Sequence, residues 1–144
     1  MKRLSVFSTL FLATVCLMSC QDQVQQIAGN YSYKISGSVV IAEDTFLLAN
    51  ETGALEVLRV NADSAVVTFN ALLGQAYATQ AVIAGKQMEL LPFKRTITVR
   101  ARDYEVTAQA KGDIYDGTLL LNLQYENAER ELKADSLILL CKKN

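Results

Sequence analysis

Apolar and polar residues alternate along most of the chain beyond residue 27. In the first alternating segment Tyr31, Tyr33 and Ile35 are separated by polar residues, so they share one face of an extended backbone. A period of two is typical of a β-strand with one buried face. Two later segments repeat the pattern, and their apolar faces carry Tyr104, Val106, Ala108 and Ala110, and then Tyr115, Gly117, Leu119, Leu121, Leu123 and Tyr125.

Short tripeptides rich in turn-forming residues separate the apolar runs. Further strands are predicted at 45–49, 54–60, 64–70, 75–84, 86–91, 95–101 and 132–141. Turns are predicted at Glu51-Thr52-Gly53, Asn61-Ala62-Asp63, Ala84-Gly85-Lys86, Lys111-Gly112-Asp113 and Asn127-Ala128-Glu129. The sole proline, Pro92, falls between two predicted strands, where its missing N–H is tolerated. A short helix is predicted only near residues 71–73.

The number and spacing of these segments predict an all-β fold, an antiparallel up-and-down meander of about 8–10 strands. Closing such a meander into a barrel would remove its exposed edges. A two-sheet β-sandwich is the alternative architecture. A barrel of about eight strands is either filled by side chains or wide enough to hold one small ligand.

The first residues have the pattern of an export signal. Lys2 and Arg3 precede an apolar run over 4–18, which ends in Leu17-Met18-Ser19-Cys20. This ending resembles the bacterial lipobox, which implies cleavage before Cys20 and acylation of that residue. An ordinary secretory peptide or a membrane anchor is the alternative. The predicted organisation is a signal peptide at 1–19, a polar lipid-anchored tether at 20–26 and one β-barrel domain at 27–144.

Acylation at Cys20 would make the membrane a partner, because each buried CH₂ contributes about 0.8 kcal/mol. Gln21 is not the aspartate that acts as an inner-membrane retention signal in enterobacteria, which favours an outer-membrane lipoprotein. Whether the domain faces the periplasm or the cell surface is left open by the sequence.

The residue types available for chemistry are few. The chain has no histidine, so the commonest general base and the commonest metal ligand are missing. After Cys16 and Cys20 are set aside, Cys141 is the one remaining thiol, and its apolar neighbours favour an inert core residue. We therefore expect no enzyme activity, no metal site and no cofactor. The slightly acidic balance of the chain gives no reason to expect nucleic-acid binding.

Two short motifs resemble those of lipocalin and calycin barrels. Gly29-Asn30-Tyr31 is similar to the Gly-x-Trp that opens the first strand of that family, and Arg102-Asp103-Tyr104 is similar to its Thr-Asp-Tyr. The outline of residues 27–142 also resembles small lipocalin-like lipoproteins of Bacteroidetes. The resemblance implies that Gly29 and Tyr31 close the base of a barrel, next to a basic residue supplied by Arg130 or Lys133.

Two functions fit these features. In the first, the barrel binds a small apolar ligand in its interior, and the residues expected to line it are Tyr33, Ile35, Tyr104, Val106, Leu119, Leu121 and Leu123. In the second, a filled barrel acts as a cell-envelope interaction module through an exterior apolar patch. The residues that suggest this patch by breaking the alternation are Val40, Leu58, Leu120, Leu137 and Leu139.

Two tripeptides, Asp63-Ser64-Ala65 and Asp135-Ser136-Leu137, resemble the O-glycosylation acceptor of Bacteroidetes. Ordinary turn or strand-entry residues are the alternative interpretation, because Asp-Ser pairs favour turns.

Overall fold

The computed structural model describes residues 22–47, 51–70 and 76–144, and most of these residues lie in antiparallel strands. The elements are α1 (Gln23–Ile27), β1 (Gly29–Ser36), β2 (Ser38–Ile41), β3 (Asp44–Leu47), β4 (Glu51–Arg59), β5 (Ser64–Asn70), β6 (Ala76–Ala84), β7 (Gln87–Val99), β8 (Arg102–Tyr115), β9 (Thr118–Asn127) and β10 (Leu132–Lys143).

Eight strands close into a barrel. From β4 to β10 each strand pairs with the next one along the chain, and β1 pairs with both β4 and β10. Closure is extensive, since the pairing of β1 with β10 runs from Tyr31 opposite Lys143 to Ser36 opposite Ile138. The structure thus confirms the predicted all-β meander and its closure as a barrel rather than a sandwich.

The hairpin formed by β2 and β3 extends from one end of the barrel. β2 follows β1 along the same edge of β10, where Val40 lies opposite Lys133. Gly37 separates β1 from β2 with a φ of +141°. A Cβ atom at Gly37 would lie 2.7 Å from Leu137 Cδ2, so the bend requires glycine for both conformation and space. β1 and β2 therefore form one strand that bends at Gly37.

The core is the interior of the barrel, and it follows the predicted alternation closely. Alternate residues are buried along the long strands, for example Leu119, Leu121 and Leu123 in β9, and the alternation shifts at the irregularities in β7 and β10. The largest side chains less than 2% exposed are Tyr31, Tyr125, Ile35, Leu55, Met88, Leu90, Leu119, Leu121, Leu123, Leu132, Leu137 and Leu139. Burial of this apolar surface is the main source of stability, at roughly 25 cal/mol per Å².

The predicted turn at Lys111-Gly112-Asp113 is wrong, because β8 runs through it to Tyr115 and the chain turns at residues 116–117. Gly112 marks a close approach of two strands. A Cβ atom there would lie 2.1 Å from the carbonyl oxygen of Leu120. With the turn at 116–117, Ile114 and not Tyr115 lies opposite Leu119, and Tyr115 is 55% exposed.

Two further boundaries also differ from the sequence prediction. The tripeptide Glu51-Thr52-Gly53 is the start of β4, where Gly53 lies against the ring of Tyr33. Pro92 lies inside the continuous strand β7, at a register shift between Leu90 and Phe93. Proline is tolerated there because a bulge interrupts the hydrogen-bond ladder.

The expectations for the signal peptide, for Cys20 and for a helix near 71–73 lie outside the described residues. Within the described part of the chain, no helix is both long and apolar enough to cross a membrane. Residues 23–26, which the sequence analysis assigns to the tether, belong to α1, and Val24 in it is fully buried.

Candidate functional site

The short helix α1 covers one end of the barrel, which we call the closed end. Val24 and Ile27 are buried against the core. The side chain of Asp22 accepts a hydrogen bond from the N–H of Val24 at 2.9 Å, which caps the helix. Asp22 also accepts a hydrogen bond from Arg59 Nε at 2.6 Å. The interaction with Arg59 lowers the pKa of Asp22. Helix and barrel are thus joined at the end of β4.

Tyr31 lies beneath this helix, less exposed than almost any other aromatic residue. Its hydroxyl donates a hydrogen bond to the carbonyl of Ile27 at 2.7 Å. Burial and the nearby Cys141 raise the pKa of Tyr31 to about 12, so the hydroxyl stays protonated as a donor. The structure therefore places Tyr31 at the closed end, under α1.

The basic residue near Tyr31 is not one of the two that the sequence suggests. Arg130 is largely exposed beside Glu126, and Lys133 pairs with Asp135. The basic residue opposite Tyr31 is Lys143, at the end of β10. Its ammonium group donates a hydrogen bond to the carbonyl of Gln26 at 2.8 Å. Gly29, with φ of +139°, leaves the space in which this side chain lies.

All seven residues predicted to line a ligand site point into the barrel and are buried. They do not lie at one level. Leu119 follows the turn at 116–117 next to the closed end, whereas Tyr104 follows the turn at 100–101 at the opposite end, which we call the far end. Leu121 lies near Leu119, and Ile35 and Val106 lie in the half towards the far end. The structure therefore distributes this set along the barrel rather than around one pocket.

A set of polar side chains crosses the interior in the half towards the far end, where Glu51 lies opposite Ile35 and Arg95 lies opposite Val106. We call Tyr33, Glu51, Tyr77, Arg95 and Tyr125 the polar cluster. Arg95 projects inward from β7 and forms an ion pair with Glu51 of β4, three strands away round the barrel. Its Nη1 donates a hydrogen bond to the hydroxyl of Tyr125 at 2.9 Å.

Aromatic rings enclose the guanidinium group of Arg95. Its Cζ lies 5.7 Å from the ring centroid of Tyr77 and 5.5 Å from that of Tyr125, which are cation–π distances. Tyr77 also accepts a hydrogen bond from the N–H of Thr96 at 3.3 Å, which fixes its ring. The result is a positive charge held between two aromatic faces.

The electrostatics of the cluster favour a charged arginine and neutral tyrosines. Burial works to lower the pKa of Arg95, but Tyr125 and Glu51 outweigh it and raise that pKa. Burial raises the pKa values of Tyr125 and Tyr33 above the usual value. Arg95 Nε is buried and has no hydrogen-bond partner among the residues that the structure describes. A buried N–H without an acceptor costs roughly 1–3 kcal/mol, so an acceptor from outside the chain would be stabilised here.

Apolar rings lie next to the polar cluster. The rings of Tyr33 and Phe69 are in edge-to-face contact, with 5.6 Å between their centroids. The rings of Phe69 and Phe93 are stacked, with 5.4 Å between their centroids. A polar anchoring point beside apolar walls is the usual composition of a small-molecule site. The side chain of Glu51 is 29% exposed and Tyr77 is half-buried, so solvent reaches the cluster at these two residues.

Of this cluster, the sequence analysis identifies only Tyr33 as a ligand residue. A signal for Arg95 is present, because Phe93, Arg95 and Ile97 are alternate residues that point inward on one strand. A charged residue in that register is unusual and marks a candidate site. Glu51 carries no such signal, since the turn predicted at 51–53 places it outside any strand.

The remaining chemistry of the described residues is sparse. Burial raises the pKa of Cys141 to about 12, so the thiol stays protonated, as its interpretation as an inert core residue requires. In residues 22–47, 51–70 and 76–144, no three histidine, cysteine or acidic side chains are grouped as metal ligands would be.

The outer wall carries a depression of about 390 Å³ between β7, β8 and β9. The exposed side chains that line it are polar, and they form hydrogen bonds and ion pairs with one another. Gln109 donates a hydrogen bond to Gln124 at 2.8 Å, and Lys111 lies 3.8 Å from Glu89. This surface has the character of a solvated sheet face and offers no buried contact to a ligand.

The prediction that five apolar residues form one exposed exterior patch is wrong. Leu137 and Leu139 are fully buried, because a register shift in β10 after Ala134 turns them inward. Val40, Leu58 and Leu120 are exposed, but they lie on β2, β4 and β9 and form no common patch.

Comparison with known proteins identifies no relative of this chain. It matches no protein family, no curated protein and no solved structure.

Proposed function

We propose that this chain is a membrane-anchored lipoprotein whose β-barrel binds a small, mostly apolar ligand in its interior. The ligand's polar group would meet Arg95. The observation that carries this proposal is a charged arginine inside an apolar barrel, with one buried N–H that finds no acceptor within the described part of the chain.

The cost of the polar cluster argues for a role in binding. An ion pair buried in a protein core rarely contributes more to stability than apolar side chains of the same size. A barrel filled only for stability would therefore be expected to carry an apolar residue at position 95. Buried charges with perturbed pKa values instead concentrate at functional sites.

The geometry favours a ligand with one anionic group, such as a carboxylate, attached to an apolar body. The acceptor would bond to Arg95 and displace Glu51, whose partly exposed side chain can move towards solvent. The apolar body would lie against Phe69 and Phe93. Binding of this kind needs no catalytic group, in keeping with a chain that has no histidine.

The anchor is the second part of the proposal, and its support is the sequence ending in Cys20. The first described residue, Asp22, follows Cys20 by two positions and is already fixed to the barrel. An acylated Cys20 would hold the domain beside a membrane, which we propose is the outer membrane.

Titration with 11-(dansylamino)undecanoic acid, a fluorescent fatty acid, tests the proposed site. We expect saturable binding at one site and about tenfold weaker binding to Arg95→Gln, a loss of about 1.4 kcal/mol. Lys94→Gln is the matched control, because Lys94 is the next residue and points outward, 77% exposed. The methyl ester of the probe should bind the unmodified protein about as weakly as the acid binds Arg95→Gln. Equal affinity of Arg95→Gln and the unmodified protein would refute the site.

One observation favours a second candidate, an envelope-protein interaction module. Among the described strands β3 ends the sheet order, paired with β2 on one side only, and its Leu47 is 79% exposed. An unpaired edge with an exposed apolar residue can accept a strand from a partner. Cross-linking in cells would favour this candidate if one envelope protein were captured at equal stoichiometry and lost in Leu47→Lys, with fatty-acid binding unchanged.

A further inference from the structure

We propose that the closed end of the barrel rests on the lipid surface and that the far end points away from it. This inference rests on the anchoring part of the proposed function, because it requires acyl chains on Cys20.

The short connection between Cys20 and the barrel carries the argument. Asp22 is fixed, since it caps α1 through the N–H of Val24 and pairs with Arg59 at the end of β4. Only Gln21 separates it from Cys20. Two residues of extended chain span at most about 7 Å. A lipid on Cys20 therefore holds the closed end at the membrane.

The outer surface beside this attachment point is apolar. Leu58 and Val60 flank Arg59 in the chain and are 50% and 58% exposed, and Val82 is 46% exposed. These residues are neighbours, because Val60 and Ser64 are joined by a backbone hydrogen bond and Ser64 lies opposite Val82. We call Leu58, Val60 and Val82 the closed-end patch.

Charge does not explain contact with a membrane at this end. Arg59 is paired with Asp22, and Lys143 donates to the carbonyl of Gln26. The remaining charged side chains near the strand ends at this end are balanced, with Lys86, Lys142 and Lys143 against Asp63, Asp113 and Asp116. Contact through the patch should therefore be apolar and independent of anionic lipid, in contrast to a polybasic surface.

Leu47 offers an internal comparison. It is exposed and apolar like the patch, but it lies in the hairpin that extends from the far end. β8 alone has 14 residues, and at about 3.3 Å per residue a strand of that length spans the barrel over tens of ångströms. In the proposed upright orientation, with the closed end held within about 7 Å of the lipid, Leu47 therefore lies well away from the membrane surface.

Fluorescence quenching in vesicles tests this orientation with the full chain. The variants Val60→Cys, Val82→Cys and Leu47→Cys would each be labelled with a nitrobenzoxadiazole probe and reconstituted in phosphatidylcholine vesicles containing a headgroup spin-labelled lipid. Cys141 is fully buried, so the introduced thiol takes the label. We expect quenching at positions 60 and 82 to exceed that at position 47 by about threefold, with no change when anionic phosphatidylglycerol is added.

Mass spectrometry of the same protein first establishes whether Cys20 carries acyl chains. If Cys20 carries no acyl chains, the anchoring part of the proposed function and this inference are both overturned. If the chains are present and the label at position 47 is quenched as strongly as those at 60 and 82, the orientation alone is overturned. Greater quenching at 60 and 82 that persists without anionic lipid supports it.

Discussion

Arg95 shows how a single residue can depart from the pattern of a whole barrel. Its neighbours on the same face of β7, Phe93 and Ile97, are buried apolar side chains. Arg95 takes the same inward register but keeps its charge through Glu51 and the hydroxyl of Tyr125. The stability of this arrangement therefore depends on partners from other strands.

Removing one partner of the ion pair should lower the free energy of unfolding more when the more buried charge, that of Arg95, is left unpaired. The side chain of Arg95 is 13% exposed and that of Glu51 is 29% exposed. Glu51→Gln should lower the free energy of unfolding by roughly 2–3 kcal/mol, and Arg95→Met by less. The double variant should recover most of the loss. Urea unfolding of the three variants measures this, and equal losses for the two single changes would contradict it.

The alkaline limit of stability should come from buried neutral acids. Burial raises the pKa values of Tyr31 and Cys141 to about 12, above ordinary values of 10.0 and 9.0. Their neutral forms are favoured in the folded state, so the stability they contribute is present below pH 9 and is lost as pH rises towards 12. Unfolding free energies measured from pH 7 to 11 should stay level to about pH 8 and then fall. Cys141→Ala should make the fall shallower, and an unchanged slope would count against this assignment.

Among the elements, β8 and β9 show what the sequence pattern predicts and what it misses. Their alternation predicts which residues point inward, and the buried faces of Tyr104, Val106 and Leu119 confirm it. The turn between them was predicted at 111–113, because Gly112 has the same local signature whether it forms a turn or allows two strands to approach. The pairing register of β8 and β9 distinguishes a turn at Gly112 from a close approach of two strands, and this register is not visible in the local sequence.

Replacing Gly112 should therefore disrupt the β8–β9 pairing. The Cβ atom of Gly112→Ala would lie 2.1 Å from a backbone oxygen, which neither strand can accommodate without moving apart. Gly85→Ala is the control, since no atom of the described residues lies within 4 Å of its Cβ and the cost is that of φ +57° alone, about 1–2 kcal/mol. The urea midpoint should fall much further for Gly112→Ala, and a smaller fall than for Gly85→Ala would show that the strands are not this close.

The whole molecule should unfold as one barrel with one weaker appendage. β1 and β10 pair over six residues, whereas the β2–β3 hairpin meets β10 only at Leu132 and Lys133. Hydrogen exchange should show strong protection in β1 and β10 and faster exchange by local opening in β3. Protection of β3 equal to that of β10 would mean that the hairpin belongs to the closed barrel.

At this scale the sequence predicts the architecture better than the site. The number of strands and the short turns are enough to predict a closed meander, because strands that are neighbours in the sheet are joined by short connections in the chain. The ion pair of Arg95 joins residues 44 positions apart, and closure brings the closed end of β10 to Tyr31. Contacts of this kind depend on the register between strands around the closed barrel, and a local sequence pattern does not determine that register. The same reason explains why Lys143, and not Arg130 or Lys133, lies near Tyr31.

The central claim is that the barrel interior is a binding site built around Arg95. Native mass spectrometry of the full chain, released from membranes in mild detergent, tests it most directly. The account predicts a mass equal to the acylated polypeptide plus one small molecule, which is retained in Lys94→Gln and lost in Arg95→Gln. A mass equal to the acylated polypeptide alone, in every sample, would contradict it.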